Sequence, residues 1–468
     1  MPKRPNILFL MSDEHRFDVA GFAGNEIVRT PSLDRLAQSG VVFTNAYTPS
    51  PVCVPARQCM LAGQLPKTCG CEGAFPLAPG YMTFPRLFSQ YAYQTVARGK
   101  LHARGQDNMM GFNRRIGCEA NVDRAYIGGI KPEEFSKYQR PFKDYKWDDA
   151  KEIKRAGIGN APNVTEDRYT VDGAVKFIND YFVNPYYDRE QTNQPLLLKV
   201  SLVQPHYPYS ASEEKFSYYL NRVKMYSNRQ LSDHPFLKRR AVVPGVDASE
   251  REIRRCIAAY YSMVETVDDH FGEVLRALEN AGQNLDDWII VYTSDHGEML
   301  GEHSVWEKQK FYEGSVKVPL FIRYPEAFAS GNCVDKNVNL CDLFATFCEL
   351  CGIPAPDGLD SRSLVPLMRG NTDGWNNETV SHFSDGGHDA VKDNNYVNNL
   401  MIKIDDLKYQ YYQNMPEVLL DLKRNREETV NYIDDPAYAA DLEKFRACLA
   451  LIGTDRWRFF CPTSFLTI

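Results

Sequence analysis

The stretch TPSPVCVPARQCMLAG, Thr48 to Gly63, sets a cysteine two residues before a proline and four before an arginine. Cys53 in that setting suits a redox pair, a thiol nucleophile or the precursor of a more reactive group. Pro55 can start a helix, leaving Cys53 at its N-terminal mouth, where the dipole lowers a thiol pKa and favours anions. Other chemistry-bearing residues are spread along the chain: Asp13-Glu14, Lys100 and His102 in GKLH, His206 in QPHYP, Asp295-His296 in SDHGE, and Lys308 in WEKQK. Brought together, Asp13, Glu14 and Asp295 would repel one another and raise each other's pKa unless a cation joins them. An oxygen-rich set with one imidazole, His296, suits a hard ion such as Ca²⁺ or Mg²⁺ better than a structural zinc. If the segments are not neighbours, the acids are simply solvated; spacing alone leaves both readings open. Lys100, Lys308, His102, His206 and Arg57 imply a cavity for an anionic, tetrahedral group, sulfate or phosphate. A thiolate is soft and poorly matched to a hard cation, so an oxygen-based group at position 53 would fit better.

These residues need elements to carry them, and the chain supplies alternating strand and helix patterns. Strand signals run over Asn6–Met11, Val41–Ala46, Gln94–Ala97, Leu196–Val203, Trp288–Thr293 and Val318–Ile322. Several are continuous apolar runs, as in strands covered on both faces. Thr30-Pro31 is read as capping one helix, others open at Thr83 and at Thr165, and one runs from about Ser249 to Ala281. Such alternation predicts an α/β fold: a large, mostly parallel central sheet with helices on both faces. Beyond about Gly370 the chain turns to Asn- and Asp-rich loops, a β-like piece at Lys408–Tyr412 and a last helix from Pro436. We expect two units, 1–370 and a smaller α+β subdomain, 371–468, with a short antiparallel sheet. Asp13-Glu14, Lys100 with His102, His206, and Asp295-His296 all follow strands. In open α/β sheets, ligands bind beyond the carboxyl ends of the strands.

With 43% hydrophobic and 25% charged residues over 468 positions, the chain has ordinary globular composition. Its net charge of −7, with no basic stripe, argues against a nucleic-acid partner. No apolar run approaches the roughly 18–20 residues that span a bilayer. The apolar part of the N-terminal stretch is too short for a secretory signal, so a soluble, cytoplasmic protein is expected. Twelve cysteines invite a disulfide or zinc reading. Cys348-Glu-Leu-Cys351 has half-site spacing but no matching pair near it. The run from Leu340 reads as an amphipathic helix closed by Gly352 and Pro354, with Cys341, Cys348 and Cys351 as buried packing.

Cys53-Val54-Pro55-Ala56-Arg57 followed by Ala62-Gly63 resembles the C-x-P-x-R signature of the formylglycine-dependent (type I) sulfatases, in the alkaline phosphatase superfamily. PNILFLMSDE, TPSLDRLAQSGVVFTNAY, GKLH, QPHYP, SDHGEMLGEHSVWEKQKFYEGSVKVPL and, near the end, EVLLDLKRNREETVNY extend the resemblance over most of the chain. Asp295-His296, SPVCVPAR and GQLP are closest in style to the choline sulfatase and phosphonate monoester hydrolase branch.

The resemblance implies that Cys53 is oxidised by a maturation enzyme to 3-oxoalanine (formylglycine), whose hydrate attacks sulfur and forms a sulfo-enzyme intermediate. It implies Ca²⁺, with Mg²⁺ or Mn²⁺ as alternatives, held by Asp13, Glu14, Asp295, His296 and the residue-53 oxygen. Arg57 would steady the hydrate, and Lys100 and Lys308 would hold the sulfate oxygens. His206 would bind sulfate and protonate the leaving alcohol, and His102 would take the proton that lets the aldehyde reform. Two points depart from the family pattern: Glu14 stands where a second aspartate is common, and Val54 is bulkier than the residue usual there.

The implied activity is removal of sulfate from an organic ester, with a sulfated carbohydrate favoured by the aromatic and basic residues Tyr126, Tyr138, Trp147, Arg239 and Arg240. His382 and His388 are further pocket candidates. The alternatives are a phosphonate monoester or phosphodiester hydrolase on the same site, an unconverted anion-binding relative, and a cysteine redox protein using Cys53 or Cys69/Cys71. The apolar tail from Arg456 is expected to dock on its own body or on a sister subunit, giving a homo-oligomer.

Overall fold

The computed structural model describes residues 4–73, 75–116, 149–184, 194–328, 331–385 and 397–452. Tyr126, Tyr138, Trp147, His388 and the tail from Arg456 lie outside the described residues.

The main sheet is built from β1 (Asn6–Asp13), β2 (Val41–Tyr47), β3 (Gln94–Gly99), β4 (Arg114–Ile116), β6 (Leu196–Pro205), β8 (Trp288–Ser294), β9 (Lys317–Arg323), β10 (Asn332–Val334) and β11 (Val338–Asn339). A separate short pair joins β5 (Gly157–Ile158) to β7 (Ser210–Ala211). The order in the main sheet is β10-β2-β9-β8-β1-β6-β3-β4, with β11 also on β2. All its pairings are parallel except those of β9, which runs antiparallel to β2 and β8. The mostly parallel sheet is therefore as expected.

Alternation along the buried strands explains the layers, because successive side chains point to opposite faces. Ile7, Phe9 and Met11 of β1 pack under the helices Cys53–Ala62, Phe84–Gln90 and Leu343–Leu350. Leu8 and Leu10 face the helices Pro31–Gln38, Pro162–Phe182 and Glu250–Asn280. Cys341, Cys348 and Cys351 are buried in the first of these layers, as packing.

Several helix starts differ from expectation. The long middle helix begins at Pro162, three residues before Thr165, with proline in the first turn. The helix Cys53–Ala62 begins at Cys53 itself, so Pro55 sits inside its first turn. Thr30 does not cap its helix with its side chain; its hydroxyl donates to Asp34 instead, at 2.9 Å. By contrast, Ser249 and Glu252 form a reciprocal capping box on the helix Glu250–Asn280.

One irregularity bears on function. Met11 of β1 pairs with Ser201 of β6, but Asp13 pairs with Pro205. Two steps along β1 thus match four along β6. The end of β6 bulges, and His206 follows immediately.

The C-terminal region forms a four-stranded antiparallel sheet in the order β12 (Glu378–Asp385), β13 (Val397–Ile404), β14 (Leu407–Tyr412), β15 (Val418–Asp421), followed by the helix Ala439–Leu451. It is joined to the main body by buried charges. Lys408 on β14 donates to Glu313 at 2.8 Å and pairs with Glu428, while Tyr47 of β2 donates to Glu313 at 2.9 Å. The backbone N–H of His382 on β12 donates to the carbonyl of Pro49 at 2.8 Å, in the loop leading to Cys53.

Candidate active site

The carboxyl ends of β1, β3, β6 and β8 lie side by side, and they deliver Asp13, Lys100, His206 and Asp295 to one place. Arg57, one turn into the helix that starts at Cys53, ties them together. Its guanidinium donates to Asp295 Oδ2 (2.7 Å), Asp13 Oδ2 (2.8 Å), the Lys100 carbonyl (2.9 Å) and Ser201 Oγ (2.8 Å). Both acids and Arg57 are almost completely buried, so the arrangement depends on this pairing. Lys100 adds a second ion pair to Asp13 Oδ2, at 2.7 Å.

Ligand atoms of Asp13, Cys53, Asp295 and His296 lie within 4.8 Å of one another. The Nδ1–H of His296 donates to the Gly297 carbonyl at 3.0 Å, so its Nε2 lone pair is free to face Asp13 Oδ1, 3.9 Å away. His296 Nε2, Asp13 Oδ1 and Glu14 Oε1 are buried with no hydrogen-bond partner. The orphaned His296 Nε2 and Asp13 Oδ1, facing each other, fit a hard cation, because buried polar atoms are otherwise paired, and Glu14 Oε1 is a further orphaned acceptor in the adjoining group. Burial alone would lower the His296 pKa, but in the cation-free site Asp295 reverses this and pushes it up to about 9, so a cation at Nε2 would take the place of a proton there.

Glu14 sits in a second group with Asp13 and His206. Its backbone takes a left-handed turn, with φ at 64°, and its N–H donates to Asp295 Oδ1 at 3.1 Å. Its Oε2 accepts from Lys308 Nζ at 2.9 Å. Lys308 also donates to His206 Nε2 at 2.7 Å, and His206 Nδ1–H donates to the Tyr207 carbonyl at 2.8 Å. Burial, then Lys308 and Lys100, holds the His206 pKa down at about 3.

The Cys53 thiol lies among these groups. Burial would raise its pKa, but Lys308 and Lys100 overcome that and carry it well below the usual thiol range. His102, His206 and His296 all interact with its sulfur. Every site residue read from the sequence thus falls into one cluster. Arg57 is among them, with hydrogen bonds to the two carboxylates, the Lys100 carbonyl and Ser201 Oγ. Among the other candidates, Arg240 is ion-paired to Glu307 at 2.5 Å. His382 is 2% exposed, with its Nε2 on Asn398 Oδ1 at 2.9 Å, so it belongs to the packing beside the Cys53 loop.

Some supporting residues carry no mark in the sequence. Tyr260 donates to the Glu14 carbonyl at 2.6 Å and accepts from the Arg16 N–H at 2.8 Å. Glu298 accepts from the Glu307 N–H at 2.6 Å and from Tyr209 at 3.1 Å, fixing the loop before Lys308. Only the glutamate of DHGE, next to the acids, could have drawn attention.

Comparison with known proteins agrees with this arrangement. The Sulfatase family profile matches residues 5–353, and a profile for the N-sulphoglucosamine sulphohydrolase C-terminal region matches residues 301–452. Arylsulfatase K of Danio rerio is 30% identical over 94% of this chain and 83% of its own. A choline-sulfatase of Rhizobium meliloti is 28% identical, covering 94% and 84%. An N-acetylglucosamine-6-O-sulfatase of Bacteroides thetaiotaomicron is 25% identical, covering 93% and 84%. In fold, the chain is similar to the phosphonate monoester hydrolase of Agrobacterium radiobacter, with a TM-score of 0.77 at 22% identity over 96% and 95% of the two chains. A profile match over most of the length, on a fold that gathers the signature residues into one buried cluster, makes this chain a member of the sulfatase family of enzymes.

Proposed function

We propose that the protein hydrolyses sulfate esters of carbohydrates, with Cys53 matured to formylglycine and a divalent cation, Ca²⁺ by preference, held by Asp13, Glu14, Asp295 and His296. The observation that carries this reading is the Cys53 side chain at a helix start, surrounded by two lysines, three imidazoles and orphaned carboxylate oxygens. When present, the formylglycine hydrate supplies an oxygen nucleophile and the cation supplies fixed positive charge beside it. Lys100 and Lys308 hold the sulfate oxygens and stabilise charge as the ester bond breaks. Arg57 acts one step removed, by locking Asp13 and Asp295 in position. The Lys308–His206 contact holds a proton shared between an ammonium and a neutral imidazole. Burial and, after it, the lysine charges keep His206 unprotonated; a bound sulfate would offset the lysine part, so this pair can pass a proton to the departing alcohol. His102, which interacts with the residue-53 side chain, would take a proton from it in the return half of the cycle. The carbohydrate preference is supported by the N-acetylglucosamine-6-O-sulfatase relative.

The test is a mass spectrum of the Cys53 peptide from protein produced with a maturation enzyme, together with turnover of an aryl sulfate, sulfated monosaccharides, a phosphonate monoester and a phosphodiester. Conversion of the thiol to an aldehyde with release of sulfate from a sugar is expected. Conversion with faster phosphonate or phosphodiester turnover would replace the sulfate reading, and a thiol that persists beside a competent maturase would end the formylglycine reading.

A further inference from the structure

The bulge at the end of β6 raises a question about how His206 is held. Extra residues in a strand free backbone groups that the ladder would otherwise satisfy. Here the freed donors are the N–H groups of Val203 and Gln204, and both are taken by one carboxylate. Asp167 accepts from Val203 N at 2.6 Å and from Gln204 N at 2.8 Å. On the far side of the turn, Asn163 Nδ2 donates to the carbonyl of His206 at 2.7 Å and to that of Pro208 at 3.1 Å. Asn163 and Asp167 are four residues apart in the helix Pro162–Phe182, so they share one helix face. They are 2% and 0% exposed.

One helix face therefore grips the segment that carries His206 from both sides, through backbone atoms alone. Asp167 matches two donors and Asn163 matches two acceptors, so neither can be exchanged for the other. Lys308 fixes the imidazole at its tip, but nothing in that contact fixes the backbone from which the ring projects. We propose that Asn163 and Asp167 are positioning residues that aim His206 at the leaving oxygen of the ester. This rests on the reading of His206 as proton donor given above.

A positioning role predicts a dependence on the leaving group that a merely structural role would not. A good leaving group such as 4-nitrophenolate departs without a proton, whereas a sugar alkoxide needs one. General acid catalysis is worth roughly 10²–10⁴-fold, and a misplacement of about 1 Å can forfeit about 10²-fold. The experiment uses the full-length matured enzyme as wild type, N163A, D167N, H206A and the double variant N163A/H206A. Each is assayed on 4-nitrophenyl sulfate and on a sulfated monosaccharide, with thermal melting as the check on folding.

For N163A we expect kcat on the sugar sulfate to fall by about 10²-fold, against less than about threefold on 4-nitrophenyl sulfate. D167N, which keeps one acceptor oxygen but turns its NH2 toward the other backbone N–H, should show the same selectivity and keeps the test open if one variant folds poorly. N163A should add almost nothing to H206A, because residues acting through one group are not additive. Equal losses on both substrates, or a full further loss in the H206A background, would overturn the positioning role and leave the sulfatase reading intact. An H206A enzyme with no leaving-group selectivity would remove the proton-donor role, and this inference with it.

Discussion

Arg57 shows how much depends on the shape of a single side chain. Four of its N–H contacts are used, two on buried carboxylates, one on a carbonyl and one on a hydroxyl. A lysine would keep the charge but lose the fork, and each charged hydrogen bond left unmade in a buried site costs about 1.5–3 kcal/mol. Arg57→Lys should therefore lower stability by at least about 2 kcal/mol, seen as a lower urea midpoint in EDTA, where bound metal cannot compensate. An unchanged midpoint would show that Asp13 and Asp295 hold their positions without the guanidinium. At this scale the sequence was informative where residue type limits chemistry. Asp13, Lys100, His206 and Asp295 were readable because four separate strands end in such residues, and Lys308 because it lies in a motif that the family resemblance covers. Asn163 and Asp167 were not readable: they bind backbone atoms, and any helix start contains such residues. Glu14 was legible as an acid, but its left-handed turn and its tie to Lys308 are properties of the fold.

Elements were legible to the extent that their periodicity was clean. The apolar runs of β1, β6 and β8 reflect burial on both faces, and those strands appear where expected. Boundaries were harder, because caps compete with tertiary contacts. Thr30 looks like a cap, yet Asp34 claims its hydroxyl. Pro55 looks like a helix start, yet the chain is already helical at Cys53. The bulge in β6 has no local signal, since it arises from what lies beside the strand. The capping box of the helix Glu250–Asn280 is where local and global preferences agree. Ser249→Ala should cost about 1 kcal/mol, the usual value of an N-cap side chain, with no change in kcat. A loss of activity larger than the loss of folded protein would show that this helix end communicates with the site through Tyr260.

The molecule as a whole buries several histidines, which shapes its response to acid. Burial lowers His270, His303 and His382 to about 4. Their folded-state values lie below those of the unfolded chain, near 6.5. The unfolded state therefore binds protons first as pH falls, and the stabilising contribution is complete only above about pH 6.5. It drains away between there and about pH 4, by a few kcal/mol for each group on an order-of-magnitude reckoning. Urea midpoints at pH 7, 5.5 and 4.5 should fall, and His382→Gln should flatten part of that fall. An identical pH dependence in the variant would exclude His382 as a contributor. No helix among the described residues is long and apolar enough to cross a membrane.

The joint between the two sheets limits what evolution or an engineer could do with the smaller one. Lys408 arrives from the C-terminal sheet, while Glu313 and Tyr47 wait for it in the main body. Lys408 also pairs with Glu428 of its own region, so one buried ammonium is shared between an acid of each half. A C-terminal sheet with no cation at the place of Lys408 would leave Glu313 and Glu428 buried with one partner fewer, and a buried charge without its partner is costly. New substrate pockets in such a protein are therefore easier to reach by changing the loops that rise from the two sheets than by exchanging the sheets themselves.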